Sequence, residues 1–173
     1  MKREKVEAWI REVAPGESLV AFLVGGPVNG GVGDGTDSIG SDHPADLHIQ
    51  AQRLGWDPAR RISPVANLAA VLTERQLLLA SIGGMWGARP KDLLHAAPRG
   101  QFRAWWWIND ASAAPAATFA NVLVAFADGS WAGLGAATKL MGKTVAAAAE
   151  AERFVEALGP DGSMHDWRGT ASP

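Results

Sequence analysis

Between residues 2 and 13 the apolar positions Val6, Trp9, Ile10 and Val13 recur at i, i+3, i+4 and i+7, with Lys5, Glu7, Arg11 and Glu12 between them. This spacing predicts a short amphipathic helix, ended by Pro15-Gly16. Ser18 to Val24 is apolar without helical spacing and is bounded by Gly16 and by Gly25-Gly26-Pro27, the pattern of a buried strand. The pattern then lapses. Residues 27 to 65 are rich in Gly, Pro, Asp and Ser and read as a long irregular insertion, with room for one helical turn near Leu47 to Leu54. A loop of that length inside a domain is normally functional or disordered.

The second half is strand-like. Asn67 to Thr73 and Gln76 to Ile82 flank Glu74-Arg75 as a tight hairpin, although the pair lacks the glycine that a primed turn prefers. Leu93 to Ala97, Phe102 to Ile108, Thr118 to Ala127 and Ser130 to Ala137 follow, and Asp128-Gly129 supplies the positive φ angles of a two-residue hairpin. Lys143 to Leu158 reads as an alanine-rich helix with Ala147, Ala151, Phe154, Val155 and Leu158 on one side, stopped by Gly159-Pro160. Seven closely spaced strands with a helix at each end predict a mainly β fold, a small antiparallel barrel or sandwich. Strands apolar on both faces, such as Phe119 to Ala127, need cover outside as well, which the two helices are placed to supply.

A chain of 173 residues can bury a core without staples, and the absence of cysteine excludes disulfide scaffolds and Cys-ligated zinc, haem or iron–sulfur sites. The formal net charge of -2, from 16 basic and 18 acidic residues, gives no overall basic field for nucleic acid. Met1-Lys2-Arg3 leads into Glu4, Lys5 and Glu7 rather than into an apolar signal region, and no apolar run is long enough to span a bilayer. These features point to the cytoplasm. The acids of the first helix also disfavour anionic lipid as its target.

Three stretches carry a family resemblance: Val71-Leu72-Thr73-Glu74-Arg75-Gln76-Leu77-Leu78, Val122 to Ser130, and Ala151-Glu152-Arg153-Phe154-Val155-Glu156-Ala157-Leu158. In sequence and order they resemble the bacterial pleckstrin-homology-like (PH-like) proteins. The resemblance implies a seven-stranded PH-like barrel of two orthogonal antiparallel sheets, capped by a C-terminal helix. The domains expected from it are an N-terminal amphipathic helix over 1–15, a PH-like domain over 16–158 with the insertion at 27–65, and a disordered tail over 159–173. It further implies a non-enzymatic module that binds a protein, a peptide or a lipid head group. Relatives that hold phosphoinositides use Lys and Arg between the first two strands. Here Asp34, Asp37, Asp42 and Asp46 precede Arg53, Arg60 and Arg61, a departure that argues against that ligand.

The residues offer several chemistries. Gly25 to Gly35 follows a strand, as a phosphate cradle would, but no helix with an apolar face and no Walker lysine follows. Asp42-His43-Pro44-Ala45-Asp46-Leu47-His48 groups metal-ligating types, and a small metal-dependent enzyme built on loop 34–48 is the alternative to a binding module. Polar loop composition explains those residues equally well. No Gly-x-Ser-x-Gly elbow is present. The eight tryptophans include Trp105-Trp106-Trp107, where the two-residue period puts Trp105 and Trp107 on one strand face and Trp106 on the other. One face belongs to core or helix cover; the other reading is a stacking platform, which needs more than Arg99 and Arg103 alongside. Trp86, followed by Arg89 and Lys91 in a glycine-flanked loop, has the residue types of an interface hot spot. The expected binding surface is therefore a loop end carrying Trp86, Arg89 and Lys91, with Arg60 and Arg61 joining if the fold brings the loops together. The partner expected there is a protein or an anionic group, with no cofactor, no metal and no nucleic acid, and with homo-oligomers through open sheet edges as a further possibility.

Overall fold

The computed structural model describes residues 1–27, 57–62, 67–83, 88–111, 117–140 and 143–164. Helix α1 (Arg3–Val13) precedes strands β1 (Leu19–Pro27), β2 (Leu68–Thr73), β3 (Gln76–Gly83), β4 (Arg89–Pro98), β5 (Phe102–Ala111), β6 (Ala117–Phe126) and β7 (Trp131–Leu140). A two-residue β8 (Lys143–Thr144), helix α2 (Ala147–Leu158) and a short β9 (Gly162–Met164) complete the described chain. The seven long strands form one antiparallel sheet in the order β4-β3-β2-β1-β7-β6-β5, with β9 parallel on β5 and β8 on β7.

Mainly β with flanking helices is therefore the architecture. A closed barrel is not: among the described residues no ladder joins β4 to the far end of the sheet, so it keeps two edges. Contact across that gap is made by side chains, with the His95 ring of β4 on the Phe126 ring of β6 at 4.1 Å between centroids.

Strand β1 belongs to both halves of the sheet. Leu19 to Gly25 pairs with β2, and Gly26 and Pro27 pair with Gly135 and Leu134 of β7. The backbones approach so closely at this transfer that a Cβ on Gly25 would stand 2.6 Å from the Gly135 carbonyl oxygen. Gly25-Gly26, read from sequence as the start of a glycine-rich loop, is thus strand backbone at a crossing.

The period-two pattern sorts side chains between two apolar layers. Leu68, Ala70 and Leu72 of β2 and Leu77 and Leu79 of β3 face the main core, which they share with β5, β6, β7 and α2. The alternate residues Ala69, Val71, Leu78 and Ala80 lie under α1, against Val6, Trp9 and Ile10. Helix α1 thus supplies outer cover to β2 and β3 rather than to the Phe119 to Ala127 strand for which it was expected. It is pinned by Arg3, whose Nη2 donates to the Leu19 and Val20 carbonyls at 2.9 and 3.2 Å, and by Trp9 Nε1, which donates to the Lys91 carbonyl at 3.0 Å. Helix α2 does something else. It enters the main core with Ala151, Phe154 and Leu158, packed mostly on β1 and β7, where burying Phe154 and Leu158 contributes roughly 2 kcal/mol each. It begins at Ala147, four residues later than its composition predicts, because Lys143 and Thr144 extend the sheet as β8.

The β2–β3 turn works without glycine because Thr73 replaces what a positive φ would have provided. Its Oγ1 accepts from the backbone N–H groups of Arg75 and Gln76 at 3.3 and 3.0 Å. Glu17 completes the arrangement, accepting from Thr73 Oγ1 and, at 2.6 Å, from Gln76 Nε2.

Part of the expected disordered tail is structured. Gly159–Asp161 forms a 3-10 turn and Gly162–Met164 pairs with Ala104 to Trp106 of β5; residues 165–173 lie outside the described residues. The buried Asp161 accepts from Gly100 N at 2.9 Å and from Arg99 Nη1 at 3.1 Å, while Arg99 Nη1 and Nη2 also donate to the Leu158 and Ala157 carbonyls at 3.2 and 2.9 Å. A cation on the last carbonyls of a helix satisfies orphan acceptors and opposes the helix dipole.

Two substitutions test these constraints. Gly25→Ala should destabilise by roughly 2–3 kcal/mol, because the methyl group meets backbone rather than a flexible side chain. Gly26→Ala, whose Cβ would find Asn67 Oδ1 at 3.4 Å, should change the midpoint of thermal unfolding far less. Arg99→Ala leaves the Asp161 carboxylate buried without its cation and should cost about 3 kcal/mol in denaturant titrations.

Candidate functional site

The residues expected to form one surface are divided between two ends of the sheet. Trp86 lies outside the described residues, as do the acidic and histidine positions of loop 34–48. Arg89 pairs with Gly83 at one end of the β3–β4 ladder, and Pro98 pairs with Gln76 at the other. The ten residues of β4 span roughly 30 Å. At the Pro98 end Arg99 N donates to the Arg75 carbonyl at 2.7 Å and Ala127 N to the Gln101 carbonyl at 3.1 Å, which brings the β2–β3, β4–β5 and β6–β7 turns together. Arg60 belongs there, since a Cβ on Gly129 would stand 2.9 Å from its Nη1. Arg60 and Arg61 therefore do not join Arg89 and Lys91.

At the Arg60 end the chemistry is structural. Trp131 is fully buried on the outer face of β7, with its Nε1 donating to the Asp57 carbonyl at 3.0 Å and its carbonyl accepting from Ile62 N at 2.8 Å. The Arg61 guanidinium sits 5.1 Å from the Trp131 ring centroid, and burial lowers its pKa below the ordinary arginine value. Residues 57–62, which belong to the segment expected to be irregular, thus cover a tryptophan and pair with the start of β7 through Arg61. Asp128, in the adjoining turn, accepts from Ser130 Oγ and N at 2.6 and 2.9 Å. Those bonds, the side-chain one first, hold its pKa below the ordinary carboxylate value; His95 and Arg60 add smaller attractions.

The Arg89 end is different. Arg89 and Lys91 are exposed on a strand rather than on a loop, and β4 has a strand neighbour on one side only among the described residues, with α1 bonded to its Lys91 carbonyl. Two register shifts interrupt its ladder. Leu79 pairs with His95 and Ala80 with Leu93, so Leu94 is an extra residue; between Ala80–Leu93 and Ile82–Pro90 the strand bulges again. In a regular strand one of two consecutive leucines would face inward. Here Leu93 and Leu94 are 42% and 39% exposed, and Val20 is the only other exposed large apolar residue among those described. Asp92 is occupied locally: Ser81 Oγ donates to it at 3.0 Å and Lys91 Nζ stands 3.4 Å away. Sequence reasoning placed the two leucines in a strand without seeing that they are displayed. The signal available was their adjacency, which no period-two pattern can bury on one face.

Trp105 and Trp106 divide between the two faces as the strand period requires, and the Trp107 side chain lies outside the described residues. Trp106 packs against the main core, and half-buried Trp105 faces outward, beside Arg103, over a shallow cleft of about 270 Å³ at the β5–β6 edge. Arg103 is engaged there with the Pro160 carbonyl, 3.0 Å from its Nη1. Among the described residues no group of three or more His, Asp or Glu side chains is placed to hold a metal ion, and no helix is long and apolar enough to cross a membrane.

The Asp128 turn gives a pH prediction with a definite sign. Because the folded carboxyl has a depressed pKa, its small stabilising contribution is complete above the unfolded pKa and is lost as pH falls through the folded one. The stability difference between the wild type and Asp128→Ala, followed by urea unfolding, should be constant from about pH 7 to pH 5 and should shrink below about pH 4. The chain matches no family model, no curated protein and no solved structure, so the site rests on its own geometry.

Proposed function

We propose that the chain is a PH-like interaction module, its two half-sheets set roughly orthogonal about one core, and that it works by binding a protein partner rather than by catalysis. The strand order, the sharing of β1 between the halves and the docking of α2 against β1 and β7 support the architectural part. The observation that carries the functional part is the display of Leu93 and Leu94 beside exposed Arg89 and Lys91, on a chain whose other described large apolar side chains, Val20 apart, are buried fully or in part. An exposed apolar pair rimmed by charge is the surface pattern of a protein contact. The proposed surface is the outer part of β4; Arg60 and Arg61 are left to their structural work.

The test is affinity capture on the full chain with matched variants. A partner retained by the wild type and by Arg60→Glu, and lost from the Arg89→Glu, Lys91→Glu double variant with an unchanged circular-dichroism spectrum, is the expected result. Equal retention by both variants would overturn the assignment of the surface. Native mass spectrometry showing a stoichiometric metal, lost on His43→Ala or His48→Ala, would overturn the non-enzymatic reading.

A further inference from the structure

We propose that the β4 surface recognises a protein segment that carries leucine-like side chains beside carboxylates, and that it holds this segment by side chains rather than as an added strand. This deepens the reading above and rests on it. The geometry of β4 argues for the mode. An unbulged edge strand offers a regular row of N–H and C=O groups that another strand can pair with, whereas bulges break the row and bend the strand. Strand β4 has two bulges within the stretch that carries Leu93 and Leu94, with Pro90 and Pro98 toward its ends. Regular strand addition is therefore poor over the part that is apolar and exposed. What remains for recognition is the two leucine side chains.

Charge argues for the partner's chemistry. Arg89 and Lys91 stand within a few residues of the leucines, both exposed, with 63% of the Lys91 side chain accessible. The nearest acid on the strand, Asp92, already accepts from Ser81 Oγ and lies 3.4 Å from Lys91 Nζ. An incoming carboxylate can take over Lys91 and meet Arg89, while a basic segment would face two like charges and one occupied acid. Complementary rim charges of this kind set partner choice and salt dependence, and the leucines supply the desolvated contact. A second copy of the chain is the poorer occupant, because its own β4 would bring Arg89 and Lys91 against the same cations.

The test uses two synthetic peptides of equal length with the same leucines, one with glutamates and one with lysines beside them, titrated into the labelled full chain and followed by amide NMR. The acidic peptide should shift β4 amides saturably and bind at least about tenfold more tightly than the basic one, with affinity falling several-fold as salt is raised from about 0.05 to 0.5 M. Leu93→Ser with Leu94→Ser should abolish the shifts. Should that variant unfold, Lys91→Glu must reverse the preference between the peptides. Equal binding of the two peptides, or shifts centred elsewhere, overturns the proposal. So does a dimer in sedimentation that Leu93→Ser dissolves, or binding to phosphatidylserine vesicles that depends on the same residues. If capture of the cellular partner depends on Arg89 and Lys91 while neither peptide binds, the interaction module stands and only the partner chemistry fails; if both experiments are negative, both fail.

Discussion

The passage of β1 from one half of the sheet to the other is the constraint on which the rest of the molecule depends. A strand that bonds β2 through Leu19 to Gly25 and β7 through Gly26 and Pro27 must bring two backbones within the radius of a side chain where it changes partner, and only glycine permits that at Gly25. Two consequences follow from the splay. From Ala136 onward β7 has no β1 beside it among the described residues, whereas Arg61 and Ile62 pair at its other end, on Trp131. The apolar ground between β1 and β7 is left to α2, whose small Ala151 lets the helix come close while Phe154 and Leu158 reach into the core.

The helix needs a stop as well as a seat, and the sequence supplies it from a distant turn. Arg99, in the β4–β5 connection, caps two carbonyls at the end of α2 and neutralises Asp161, which in turn fixes the Gly100 amide. One guanidinium therefore ties the turn to the helix end and to the start of β9. A buried carboxylate is costly unless each of its partners is in place, so the three elements hold or fail together.

Much of this was legible in the residues and some of it was not, for physical reasons that differ. Elements with one strong period declared themselves: α1 through Val6, Trp9 and Ile10, the β6–β7 hairpin through Asp128-Gly129, and α2 through Phe154 and Leu158. The first part of β4 did not, because Arg-Pro-Lys-Asp reads as a loop in any pattern method while an edge strand tolerates charge on its exposed positions. Asp57 to Ile62 were hidden for a related reason. Their order comes from Trp131, far away in sequence, and not from any local preference. The candidate site shared this fate: Arg60, Arg61, Arg89 and Lys91 could be chosen by type, but which of them are neighbours depends on strand register, and register is fixed by the whole core.

The edge strand also shows how protection and display can be one device. A sheet with two open edges invites pairing with other chains, and bulges, prolines and charge on β4 oppose it. Yet the bulge that spoils the hydrogen-bonding row is what turns both Leu93 and Leu94 outward, since it removes the alternation that would have hidden one of them. The same irregularity thus opposes backbone pairing along β4 and leaves two apolar side chains displayed beside charge. In the proposed interaction, selectivity would rest on Leu93, Leu94, Arg89 and Lys91, because the bulged backbone is a poor partner for an added strand.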